Sequence, residues 1–113
     1  MTESIRERDA MTVGIDLGDK YSHVCFLDAE GEIVEKSRIR TSEGGFRRFT
    51  QMESCRIAFE VGTHSSWVRR VLAAAGHEVL VANTRKVRLI HASGDKDDRI
   101  DAEHLARLAR VDR

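Results

Sequence analysis

The sequence predicts a mixed α/β domain, with a three-stranded antiparallel meander, further parallel strands and flanking helices. Two observations carry this prediction. Apolar residues alternate with polar ones from Met11 to Gly18, the period of a strand, and two further strand-like runs follow before residue 41. After Ser42 the spacing turns helical and then interleaves with short apolar runs, the pattern of strand-helix-strand units. The 113 residues suit one domain, and 41% hydrophobic with 34% charged residues is a globular composition, not a disordered one.

Met11, Val13, Ile15 and Leu17 alternate with Thr12, Gly14, Asp16 and Gly18, so a first strand is expected with one face inward and Asp16 on the other face near its end. Residues 21–28 form a second strand rich in aromatic and branched residues. Ala29, Glu30 and Gly31 make a short loop, and residues 32–40 return as a third, more polar strand, which belongs near an edge. Ser42 offers an N-cap to a first helix marked by Phe46, Phe49 and Met52. Residues 55–61 read as a buried strand. Ser65 or Ser66 caps a second helix whose apolar side carries Trp67, Val68, Val71, Leu72 and Ala75, with Gly76 as its stop. Residues 78–82 are a fifth strand. A basic stretch over residues 84–90 and a loop over 91–97 lead to a last helix from Asp98 to Arg110. The expected order is β-β-β-α-β-α-β-α.

Net charge is zero, so any nucleic-acid site must be local. Cys25 and Cys55 lack zinc-type spacing and are expected reduced and buried, which suits a cytoplasmic protein. No apolar stretch approaches the ~18 residues needed to span a bilayer. Residues 1–10 lack a signal-peptide core and read as a disordered tail, leaving 11–113 as the domain.

Four acids stand on this apolar scaffold. Glu60 ends a buried strand ahead of Gly62, at the crevice where α/β sheets place ligands; a carboxylate facing water at the rim is the alternative. Asp16 ends the first strand, where a turn residue is the plain alternative. At 100° per residue, Asp98 and Asp101 share a stripe with Ala102, Leu105, Leu108 and Ala109, opposite Arg99, Glu103, Arg107 and Arg110. The competing reading makes Asp97 or Asp98 an N-cap and Asp101 a first-turn acid answering the helix dipole. Acids on apolar scaffolding are costly unless compensated, and a divalent cation compensates them. Carboxylates without a His/Cys cluster favour Mg2+ (or Mn2+) over zinc, and two such ions serve phosphodiester chemistry. His64 and His77 are isolated and are expected at the surface or at helix caps. Arg85, Lys86, Arg88, Lys96 and Arg99 are candidates for clamping phosphates, with a solvated polar face as the alternative.

Four blocks then carry a resemblance: Val13–Gly18 (VGIDLG), Phe59–Trp67 (FEVGTHSSW), Gly76–Asn83 (GHEVLVAN) and Lys96–Ala102 (KDDRIDA). In one register over residues 11–112, they resemble the amino-terminal domain of DEDD-type transposases of the bacterial "IS one-ten" insertion-sequence family. The resemblance implies an RNase H-like fold and a metal tetrad of Asp16, Glu60, Asp98 and Asp101. It implies action on insertion-sequence ends and target DNA, homo-oligomers in full-length members and, in some members, a structured guide RNA. It also implies a carboxy-terminal domain with a nucleophilic serine. This chain stops at Arg113, so the reading is a truncated DEDD domain that is inactive on its own.

Two other readings compete. A non-catalytic transposase remnant would bind nucleic acid or protein without turnover. An ATPase of the actin and hexokinase class shares Asp16-Leu17-Gly18 after a first strand, but that class adds hydroxyls after the glycine and a second Gly-rich loop. Here Asp19, Lys20 and Tyr21 follow, and no second loop exists.

Overall fold

The computed structural model of the chain describes residues 11–82 and 101–111. The elements are β1 (Thr12–Asp16), β2 (Tyr21–Leu27), β3 (Ile33–Arg40), α1 (Arg47–Thr50), β4 (Arg56–Glu60), α2 (Ser65–Ala74), β5 (Glu78–Ala82) and α3 (Ala102–Val111). The strands form one sheet in the order β3-β2-β1-β4-β5. β1, β2 and β3 pair antiparallel, whereas β4 is parallel to β1 and β5 to β4. This is the mixed α/β, RNase H-like layout that the sequence predicts, with the polar β3 at the edge. The expected tail, residues 1–10, lies outside the described residues, as does the basic stretch after β5.

Strand alternation sends side chains to two unequal layers. Val13 and Ile15 of β1, Val24 and Phe26 of β2, and Ile57 and Phe59 of β4 join Phe46, Phe49, Val68 and Leu72 under α1 and α2. Phe46 and Phe49 sit 5.8 Å apart by ring centroids, and Trp67 meets Phe46 edge-on at 5.6 Å. Each such buried aromatic contributes on the order of 1.5–3 kcal/mol by leaving water. The other face is thinner: Cys25 and Leu27 pack against Ala102 and Ala106 of α3.

Small side chains let α3 lie close to the sheet. Its buried residues are Ala102, Leu105, Ala106 and Ala109. A Cβ added at Gly14 would overlap the Ala102 carbonyl oxygen and the Ala106 amide nitrogen. The far end of α3 is tied down by polar contacts. Arg107 donates to the Gly31 carbonyl at 3.2 Å and Arg110 to the Ala29 carbonyl at 3.1 Å, both in the β2–β3 loop. Asp28 shapes that loop by accepting the Glu30 and Glu32 amides.

Several local expectations are corrected. Helix α1 has four residues and starts after Phe46, while the Ser42 hydroxyl accepts the Gly45 amide in the turn before it instead of capping the helix. The N-cap of α2 is His64; Ser65 is already helical and its hydroxyl bonds back to the Gly62 carbonyl. Gly76 does end α2, with a positive φ of 96°. The His77 amide reaches the Leu72 carbonyl and the Gly76 amide the Ala73 carbonyl, a Schellman closure. β4 stops at Glu60, and Val61 beyond it is 61% exposed.

His77 is neither a surface nor a capping side chain. It is buried, with Nδ1 accepting the Cys55 amide at 3.1 Å and Nε2 donating to the Phe49 carbonyl at 2.6 Å. It therefore pins the start of β4 to the end of α1. Both cysteines are free and buried, as expected. Burial pushes the Cys55 thiol up to about 12 and also raises that of Cys25, so neither thiol is a ready nucleophile. No helix among the described residues is long and apolar enough to cross a membrane.

Candidate active site

Asp16 and Glu60 end the adjacent parallel strands β1 and β4, one register step beyond the Ile15–Phe59 pair. Parity puts both on the face of Gly14 and Ala58, the face that α3 covers. Both are half-buried. Together with Gly18, Gly62 and His64 they line a narrow cleft of about 120 Å³. Asp16 also lines a second cleft of about 240 Å³, whose other walls include Asp101, His23, Cys25 and Lys36. Asp16 is thus the wall common to both clefts, with Glu60 on one side and Asp101 on the other.

Asp101 corrects an expectation. It does not continue the buried stripe of α3 but is exposed at the residue before the helix. Its carboxylate accepts the His104 amide at 2.9 Å and its carbonyl accepts the Leu105 amide. That is N-cap geometry, and it satisfies one of the helix's orphan donors. Ala106, not Leu108, completes the buried stripe, which turns the helix from the orientation expected. The close approach of α3 to Gly14 nevertheless brings Asp101 to the cleft of Asp16.

Asp98 lies outside the described residues, as do Arg85, Lys86, Arg88, Lys96 and Arg99. Among the described residues, no three His, Cys, Asp or Glu side chains converge closely enough to hold an ion. The donors present are nonetheless of the right kind for a hard cation, since Asp16, Glu60 and Asp101 offer only carboxylate oxygens.

His64 holds the helix-cap position expected of it, at the N-cap of α2, and also lines the Asp16–Glu60 cleft. Trp67 donates its indole N–H to His64 Nδ1 at 3.0 Å, which leaves the imidazole proton on Nε2, 3.4 Å from Asp19. The i,i+3 spacing of His64 and Trp67 just after Glu60 was the available signal.

A second group also escaped the sequence reading. Asp16 pairs in register with His23, and His23 with Arg38. Tyr21 and Arg40 are the next pair on that face. The Arg38 guanidinium lies over the Tyr21 ring, 4.3 Å from its centroid. The period-two spacing of Lys36, Arg38 and Arg40 on an edge strand was the legible sign.

No curated protein matches the chain. A family model of the DEDD domain of IS110 transposases, described as "Transposase", matches residues 13–113. That match spans β1 through α3 and includes all four predicted acids. The chain therefore belongs to the IS110 ("IS one-ten") family of DEDD transposases, enzymes of DNA transposition.

Proposed function

We propose that Asp16, Glu60, Asp98 and Asp101 hold magnesium or manganese and form the catalytic half of a transposase acting on insertion-sequence ends and target DNA in the cytoplasm. The observation that carries this reading is the placement of Asp16 and Glu60, side by side on one sheet face at the ends of adjacent parallel strands. The N-terminus of α3, with Asp101, meets the cleft of Asp16 on that same face. A bound divalent pair would stabilise the attacking and leaving oxygens of a phosphodiester exchange.

The chain's own residues then have separable tasks. Asp16, common to both clefts, is the ligand on which the site depends most. Glu60 and Asp101 supply carboxylates from opposite sides. The N-terminus of α3 favours negative charge near Asp101, which moderates the repulsion among the acids. His64, held in one tautomer by Trp67, presents an N–H at the rim of the Asp16–Glu60 cleft. The resemblance to the family implies a serine nucleophile from a further domain, which these carboxylates would serve.

Manganese titration followed by electron paramagnetic resonance tests the metal reading. Wild-type protein should deplete the free-ion signal saturably, and Asp16→Asn should abolish that depletion. Equal depletion by both proteins would contradict the assignment. Strand transfer on an insertion-sequence end, by a chain extended through a serine-bearing domain, tests the activity. Asp16→Asn or Glu60→Gln in that chain should reduce transfer to background.

A further inference from the structure

We propose that Tyr21, His23, Arg38 and Arg40 form a track for a single nucleic-acid strand that enters the acidic site across the β3 edge; this rests on the reading that the acids work on nucleic acid. The four residues occupy one face of the β2–β3 hairpin, paired Tyr21 with Arg40 and His23 with Arg38. The same row continues through Asp16, the partner of His23, towards Glu60. Basic side chains at the edge thus give way to carboxylates at the centre within about two strand spacings, roughly 10 Å.

Two features make this a binding surface for a polyanion. α3 packs on Cys25 and Leu27 at the other end of β2, leaving Tyr21, His23, Arg38 and Arg40 exposed. Among the described residues no ion pair engages Arg38 or Arg40, whereas Lys36, one step along β3, is occupied by Glu103 at 3.2 Å. The face therefore presents two guanidinium groups without a carboxylate partner among the described residues, in a protein of zero net charge.

Tyr21 selects a single strand over a duplex. It is 41% exposed, with Arg38 stacked over it at 4.3 Å and Arg40 at 5.8 Å. An aromatic ring and stacked guanidinium form a platform for an unpaired base, while the arginines reach neighbouring phosphates. A duplex keeps its bases inside and could use only the charge.

Fluorescence anisotropy of a labelled oligothymidylate, with the intact chain in EDTA, reads this track without metal. Arg38→Gln with Arg40→Gln should weaken binding at least about tenfold at ~50 mM salt and lower the log–log salt slope by about 1.4, two phosphate contacts on a single strand. Tyr21→Ala should weaken it roughly fivefold or more, the loss of one stacked base. Arg38→Lys with Arg40→Lys should restore most of the affinity. Arg69→Gln with Arg70→Gln, on exposed positions of α2 across the sheet, should change nothing. Unaltered binding in the Arg38/Arg40 double variant, no binding by the wild type, or tighter binding of a duplex of equal length would each overturn the proposal. The magnesium-induced rise in melting temperature, measured on the same proteins, reports the acids separately. A wild type without that rise but with Arg38/Arg40-dependent binding would sink the metal reading and leave the track standing.

Discussion

Gly14 of β1 lies directly against Ala106 of α3, so closely that a methyl group at Gly14 would occupy the space of the Ala106 amide. This contact sets how near the N-terminus of α3, and with it Asp101, comes to Asp16. Gly14→Ala must push the helix backbone away, since no flexible side chain can yield. Overpacking of this kind costs about 1–3 kcal/mol. Thermal unfolding should show Tm lowered by several degrees, and the magnesium response should fall as well. An unchanged Tm would mean that α3 does not rest on Gly14.

Asp101 has two separable roles, a helix cap and a proposed metal ligand. Asparagine caps as well as aspartate, whereas alanine loses about 1 kcal/mol. Asp101→Asn should therefore keep apo stability within about 0.5 kcal/mol yet weaken magnesium binding, and Asp101→Ala should lose both. Urea unfolding with and without magnesium distinguishes them. Full metal response in Asp101→Asn would leave the residue as a cap alone.

His77 holds α1 to β4 through both ring nitrogens. Replacement by leucine leaves the Cys55 amide and the Phe49 carbonyl buried without partners, at about 1–3 kcal/mol each before repacking. His77→Leu should rank among the most destabilising single changes, with a far lower urea midpoint. A midpoint within error of the wild type would show that water replaces these bonds.

Arg48 grips Glu35 with two hydrogen bonds of 2.6 Å while lying over the Phe26 ring. The Arg48 bonds hold the Glu35 carboxyl below its ordinary value of 4.5. A carboxyl with a lowered folded pKa binds fewer protons in the folded state. The stability it contributes is full above 4.5 and is lost as pH falls through the lowered folded value. The pair is partly exposed, so the effect is small. The stability gap between wild type and Arg48→Met should stay constant from neutral pH down to the ordinary carboxyl range, then shrink. A gap that widens in acid would contradict this.

The strands were legible because alternation is a local property: Val13 and Ile15 against Gly14 and Asp16 announce two faces whatever packs on them. Gly76 was legible for the same reason, since a left-handed residue at a helix end favours glycine. Asp101 was misjudged because the helical period, run back from Ala102, puts it on the core-facing stripe, whereas α3 starts only at Ala102 and leaves Asp101 as an exposed N-cap. His77 was opaque, since its partners Cys55 and Phe49 are distant in sequence and both are backbone groups. For the site, sequence selected Asp16 and Glu60 from strand ends alone. Their adjacency required the parallel pairing of β1 with β4, which no spacing encodes. The basic track stayed hidden because His23, Arg38 and Asp16 meet only through sheet register.

The central claim, one metal site organised around Asp16, is tested most directly by the magnesium-induced shift in Tm across Asp16→Asn, Glu60→Gln and Asp101→Asn. With magnesium at ten times Kd, mass action should add about 1.4 kcal/mol to the wild type, a rise of about 5 °C. Asp16→Asn should abolish the rise, while Glu60→Gln and Asp101→Asn should each diminish it and leave apo Tm unchanged or slightly higher. A full shift in Asp16→Asn, equal to that of the wild type, would contradict the account.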